Sequence, residues 1–65
     1  MPNITVELLK GRTVAQRREF AGRVTAVAVE CLGTSTEHVT VRFIDIEPDA
    51  YAEGGKLYSD RVPAA

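Results

Sequence analysis

The stretch ITVELLKGRTVAQ, from Ile4 to Gln16, decides the fold. In its first half Ile4, Val6 and Leu8 alternate with Thr5 and Glu7, the period of two expected of a strand over Ile4 to Leu9. Lys10-Gly11-Arg12 breaks that pattern. Thr13 and Gln16 then stand at capping-box spacing, in which each side chain satisfies an otherwise orphaned amide of the first helical turn. A helix is therefore expected to start after Thr13.

Working outward, Phe20, Val24, Val27, Ala28 and Cys31 recur at helical spacing as an apolar stripe, with Leu32 at its margin. Arg18, Glu19, Thr25 and Glu30 fall off it. Arg17 lies nearer its edge, where its stem can cover apolar surface. Gly33 is a natural helix stop, because glycine takes the left-handed conformation that ends many helices. Thr34 to His38 reads as a short polar connection of about one helical turn. Val39 to Ile46 is rich in β-branched residues and reads as a second strand ended by Pro48. Asp49 to Gly55 reads as a loop, Lys56 to Ser59 as a short strand, and Asp60 to Ala65 as a loose tail.

Strand, helix, strand makes a βαβ unit of α/β class, with parallel strands and a right-handed crossover. One helix covers one face of a two-stranded sheet. The other face is expected to be bare and apolar, and so to pack against a copy of itself, since soluble monomers rarely expose so large a patch.

The bulk numbers agree. Residues 1–65 make a single domain, and a chain this short usually needs a staple: disulfides, a metal or partner subunits. Cys31 is the only cysteine and His38 the only histidine, so neither an intrachain disulfide nor a structural zinc site is expected. Self-association is the staple left. The formal net charge is −1 and no basic run interleaves with aromatics, so nucleic acid is not an expected partner. The apolar runs are too short for a membrane span. The lone thiol and the lack of a basic, apolar leader favour a cytoplasmic protein.

Few residues carry chemistry. Pro2, once Met1 is removed, is a secondary amine. A free α-amine has a pKa of about 7.7–8.0, and apolar burial or neighbouring arginines lower it. Such an amine suits a general base near neutral pH. Taken alone, a proline at position two is more often only a common N-terminal residue. Arg12, past the end of the first strand, is placed to clamp a carboxylate, or is a solvated loop arginine. Arg42 lies inside the second strand on one face with Thr40 and Ile44; it faces a wet cavity, or it sits at an edge or makes an intersubunit ion pair. Tyr51 either lines a pocket and offers a hydroxyl donor or packs over a subunit joint. Glu53 is an acid or base, or more commonly a solvated carboxylate. His38 reads as a turn residue, Cys31 as core and Tyr58 as packing.

Together these residues resemble the 4-oxalocrotonate tautomerase family, the short-chain branch of the tautomerase superfamily. The ordered set is Met1-Pro2, a strand, Gly11-Arg12-Thr13, a helix of about five turns, Gly33, a β-branched strand, a loop aromatic and Gly54-Gly55-Lys56. It spans Pro2 to about Ser59. The resemblance implies Pro2 as catalytic base, Arg12 as the arginine that binds a substrate carboxylate or carbonyl, partly from a neighbouring subunit, and Tyr51 as the pocket aromatic. It implies a short C-terminal β-hairpin, dimers assembled three at a time into a homo-hexamer, a small-molecule enol or keto acid substrate such as 2-hydroxymuconate, and no metal or organic cofactor. The family's second arginine falls on Thr40 here. Arg42, two residues on and on the same strand face, about 6–7 Å along, is the expected substitute. Dehalogenase members use a glutamate two residues after the loop aromatic, where Glu53 stands, and a paired arginine where Leu9 stands. Hydration or dehalogenation, or a non-catalytic assembly module, are the alternatives to tautomerisation.

Overall fold

The computed structural model describes residues 2–61. The state of Met1 and residues 62–65 of the expected tail lie outside the described residues; the tail's first two, Asp60 and Arg61, are not loose but end and cap a 3-10 turn. Strand β1 runs over Asn3–Leu9 and β2 over Thr40–Ile46, joined by helix α1 at Val14–Leu32 and a 3-10 turn at Thr36–His38. The strands are parallel, with Asn3 opposite Thr40 and Leu9 opposite Ile46. The ladder extends past both ends: the Thr40 amide donates to the Pro2 carbonyl at 3.0 Å, and the Lys10 amide to the Ile46 carbonyl at 2.9 Å.

The helix begins and ends as its sequence requires. The Gln16 amide donates to Thr13 Oγ1 at 3.1 Å, and the Thr13 amide to Gln16 Oε1 at 2.9 Å. Gly33 closes the last turn at φ 69°, its amide donating to the Val29 carbonyl at 3.2 Å. A residue with a Cβ would be strained there.

α1 lies on the face formed by Ile4, Val6 and Leu8 of β1 and Val41, Phe43 and Asp45 of β2. Phe20 meets Phe43 edge-on at 6.1 Å between ring centres. Arg17 Nη2 donates to both oxygens of Asp45, at 2.8 and 2.6 Å. The covered strip of helix is narrower than its apolar stripe. Ala28 is buried, and Ala21, Val24, Thr25 and Val29 are half-buried. Val27 is 54% exposed, and Cys31, expected in the core, is exposed. Thr25, expected off the stripe, faces inward instead. The reason is width: two strands about 4.8 Å apart cannot cover a helix about 10 Å across.

The uncovered face also differs from expectation. Asn3, Thr5, Glu7, Thr40 and Arg42 make its N-terminal part polar, and only Leu9, Ile44 and Ile46 at the other end are apolar. After β2, a 3-10 turn at Pro48–Ala50 redirects the chain into a hairpin, β3 at Ala52–Glu53 and β4 at Lys56–Leu57, followed by a 3-10 turn at Tyr58–Asp60. The expected loop thus contains a strand, and the expected strand over Lys56 to Ser59 ends at Leu57. Gly54 and Gly55 sit at φ 59° and 80°, the pair of positive values that a two-residue hairpin loop demands.

One chain makes a poor globule. Its radius of gyration is 15.3 Å, against about 11 Å for a compact domain of this length. Its 5053 Å² of accessible surface is roughly a quarter more than a folded monomer of its mass presents. Phe20, Val27, Leu32 and Ile44 are among the apolar side chains left exposed.

Candidate active site

Pro2 is half-buried at the N-terminal end of β1, and its carbonyl is fixed by the Thr40 amide. Arg12 lies past the opposite end, in the loop before the helix cap. Asn3 and Leu9 are separated by about 20 Å of strand, so Pro2 and Arg12 do not meet within one chain. Arg42 stands opposite Thr5, on the uncovered face and about 10 Å along the ladder from Pro2.

Two cavities, each of about 300 Å³, occupy the end of the sheet away from Pro2. One lies under the helix, with Arg12, Gln16, Arg17 and Phe20 lining it over a floor of Val6, Leu8 and Phe43. The other holds Tyr51 with Glu7, Leu8, Leu9 and Ile46. Arg12 and Tyr51 therefore reach the same end of the sheet from separate cavities, with Leu8 lining both. Leu9, at the place of a dehalogenase arginine, contributes only apolar surface there.

The charges sort the arginines. Lys10 pairs with Glu47 at 3.2 Å, Arg17 with Asp45, and Arg61 with Glu53 at 2.8 Å. Neither Arg12 nor Arg42 has a hydrogen-bonding or ionic partner among the described residues. A guanidinium beside an apolar cavity and without an internal carboxylate keeps its donors uncommitted.

Tyr51 is not the free donor its position invites one to expect. Its hydroxyl donates to Glu53 Oε2 at 2.8 Å, and that hydrogen bond, with the carboxylate charge, raises the phenol pKa above its usual value. Glu53 is held on its other oxygen by Arg61 Nη1 at 2.8 Å. The hydrogen bonds from Tyr51 and Arg61, then the Arg61 charge, hold its carboxyl below the usual range. A carboxylate so engaged is a weaker base than a free one. Tyr58 packs as expected, its ring edge-on to Tyr51 at 6.4 Å. His38 is a turn residue, with Nδ1 3.1 Å from Ser35 Oγ.

Sequence reasoning missed Asp45 and Arg61. Asp45 shares a strand face with Phe43, and a lone acid in an apolar strand opposite a helix arginine was the available signal. Arg61 gave no local signal, because the partner that defines it is eight residues away across the hairpin. Among the described residues no group of three or more His, Cys, Asp or Glu is placed to hold a metal, and no helix is long and apolar enough to cross a membrane.

Known proteins share this fold. Residues 2–61 match the family described as Tautomerase enzyme. The chain is 40% identical over 60 residues to the 2-hydroxymuconate tautomerase of Bacillus subtilis strain 168, covering 92% of this chain and 97% of that one. It is 39% identical over 61 residues to a probable tautomerase of Bacillus cereus, covering 94% and 100%. The crystal structure of YwhB, a homologue of 4-oxalocrotonate tautomerase, superposes with a TM-score of 0.88 at 39% identity, covering 91% and 97%. With the βαβ unit, the hairpin and an unpaired arginine beside an apolar cavity all in place, the chain belongs to the tautomerase family and is an enzyme of the 4-oxalocrotonate tautomerase type.

Proposed function

We propose that this tautomerase ketonises a 2-hydroxymuconate-like dienol acid, with Pro2 as general base. The neutral amine of Pro2 takes the enol hydroxyl proton, leaving a dienolate. The ammonium so formed returns the proton to carbon, giving the conjugated ketone and regenerating the amine. Arg12 binds the substrate carboxylate. Arg42 stabilises the developing oxyanion in place of the arginine that Thr40 replaces; a preorganised donor in that role is worth about 3–4 kcal/mol. Tyr51 and the apolar floor exclude water and keep the amine neutral.

The observation that carries this reading is the unpaired Arg12 on an apolar cavity, beside two cations that are paired. Glu53, with both oxygens engaged, favours tautomerisation over hydration.

The same geometry supports a shared site. A substrate of a few carbons does not span the strand between Pro2 and Arg12 of one chain, so Pro2 of one copy works with Arg12 of another. The excess surface, the exposed apolar helix residues and the open edges of a two-stranded sheet all favour closure into an oligomer. The reading is a homo-hexamer, a trimer of dimers, in the cytoplasm.

Turnover of 2-hydroxymuconate by the protein with a free N-terminal proline, against the same protein with that amine acetylated, tests the base. Blocking should cost about 10²–10⁴-fold in rate. Full activity in the blocked protein removes Pro2 from the mechanism. Sharing is tested by refolding Pro2→Ala chains together with Arg12→Ala chains. Activity above that of either variant alone supports a composite site, and none recovered refutes it. An unchanged kcat in Arg42→Ala removes Arg42 from its role.

A further inference from the structure

One side-chain network does work that the proposed mechanism does not use. Tyr51 Oη donates to Glu53 Oε2 at 2.8 Å, Arg61 Nη1 donates to Glu53 Oε1 at 2.8 Å, and Arg61 Nη2 donates to the Glu53 carbonyl at 2.7 Å. The guanidinium thus grips side chain and backbone of one residue together, which fixes direction as well as distance. The Tyr58 amide donates to the Tyr51 carbonyl at 2.8 Å, and the two rings meet at 61°. The tyrosine tethered this way lines the cavity with Glu7, Leu8, Leu9 and Ile46.

We propose that Arg61 is a positioning residue, which clamps Glu53 so that Glu53 holds the Tyr51 ring against the cavity and is itself withdrawn from service as a base. The proposal rests on Tyr51 being the pocket aromatic of the tautomerase site. A glutamate two residues after such an aromatic then serves as a tether, and the residue that decides this is eight positions away. Without Arg61, Glu53 swings free, and Tyr51 loses its orientation.

The test uses the sign of a titration. In a Tyr58→Phe background Tyr51 is the only tyrosine, and its phenolate absorbance is read directly against pH. Glu53 raises the Tyr51 pKa, whereas the Arg61 charge by itself lowers it. A clamp predicts that Arg61→Ala moves the Tyr51 pKa down toward its ordinary value, as Glu53→Gln does, and that combining the two adds nothing. An upward move, or none, makes Arg61 a bystander charge and overturns the proposal. Arg61→Lys, which keeps the charge and loses the fork, should move the Tyr51 pKa down at least as far as Arg61→Ala.

Two readouts separate positioning from mere fold support. The Tyr58 amide should stay protected from hydrogen exchange in Arg61→Ala; its exposure would make Arg61 a fold residue and overturn the proposal. Arg61→Ala should lower kcat/KM about three- to fivefold when Tyr51 is present and not at all in a Tyr51→Phe background. Equal losses in both backgrounds overturn it. If the parent protein does not turn over 2-hydroxymuconate, the tautomerase reading of the pocket fails, and the clamp stands or falls on the titration and exchange results.

Discussion

From Asn3 to Ile46 the chain is held by seven parallel residue pairs and a capped helix laid on one face; from Pro48 to Arg61 it is held by two residue pairs and a guanidinium. In the first region the backbone does most of the holding: Arg17 and Asp45 pair across it, and Arg12 and Arg42 have no partner among the described residues. In the second the side chains do the holding, and Tyr51, Glu53 and Arg61 are committed to one another. Two guanidiniums thus stay uncommitted where backbone pairing is extensive, and the polar side chains of the hairpin are tied up where it is short.

This contrast can be broken at several points. The largest effect should come from Arg12→Ala. Losing a charge-assisted pair worth about 1.5–3 kcal/mol should cost about 10- to 100-fold in kcat/KM, chiefly through KM, while leaving stability unchanged. A drop in stability comparable to the loss of activity would mean that Arg12 is not uncommitted at all. Next is Ala28→Leu, which overfills the one buried site between helix and sheet and should destabilise the βαβ unit by about 1–3 kcal/mol in denaturant titrations. A neutral result would show that the helix sits too loosely on the sheet to count as packed. Thr13→Ala removes half of the capping box and should cost about 1 kcal/mol by the same measurement.

The smallest effect sharpens the hairpin side. Glu53 has a depressed pKa in the folded chain, so its contribution is present above the unfolded value, about 4.3, and is lost as pH falls through the folded one. Tyr51 has a raised pKa, so its contribution is present below its ordinary value and is lost as pH rises through the folded one. The Tyr51–Glu53 tether should persist below the ordinary glutamate titration and release at lower pH, read from Tyr51 fluorescence in the Tyr58→Phe background, with the β1–β2 ladder still protected. Loss of both regions together would show that they are one cooperative unit.

How much was legible follows the same division. The alternation of Ile4, Val6 and Leu8, the Thr13/Gln16 box, the stop at Gly33 and the turn at Gly54-Gly55 all appear where the residues place them, because each depends on neighbours within a few positions. The strand ends differ by a residue, since the ladder recruits Asn3 through pairing with Thr40. The helix stripe misled at Val27, Cys31 and Thr25, because periodicity marks which residues are apolar, not how wide a surface awaits them. The face opposite the helix was expected to be apolar, and strand register instead sorts Thr5, Glu7, Thr40 and Arg42 onto it.

By itself, then, the sequence determined the order of elements, their caps and turns, and the family to which Pro2, Arg12 and Gly54-Gly55 belong. These are local matters of backbone preference and short-range hydrogen bonding. Only the tertiary structure decided that Arg12 and Tyr51 line separate cavities, that Arg17 spends its charge on Asp45 while Arg12 keeps its own, and that Glu53 answers to Arg61. Those outcomes depend on which distant groups the fold brings within about 3 Å, where hydrogen bonds form and ion pairs are strongest.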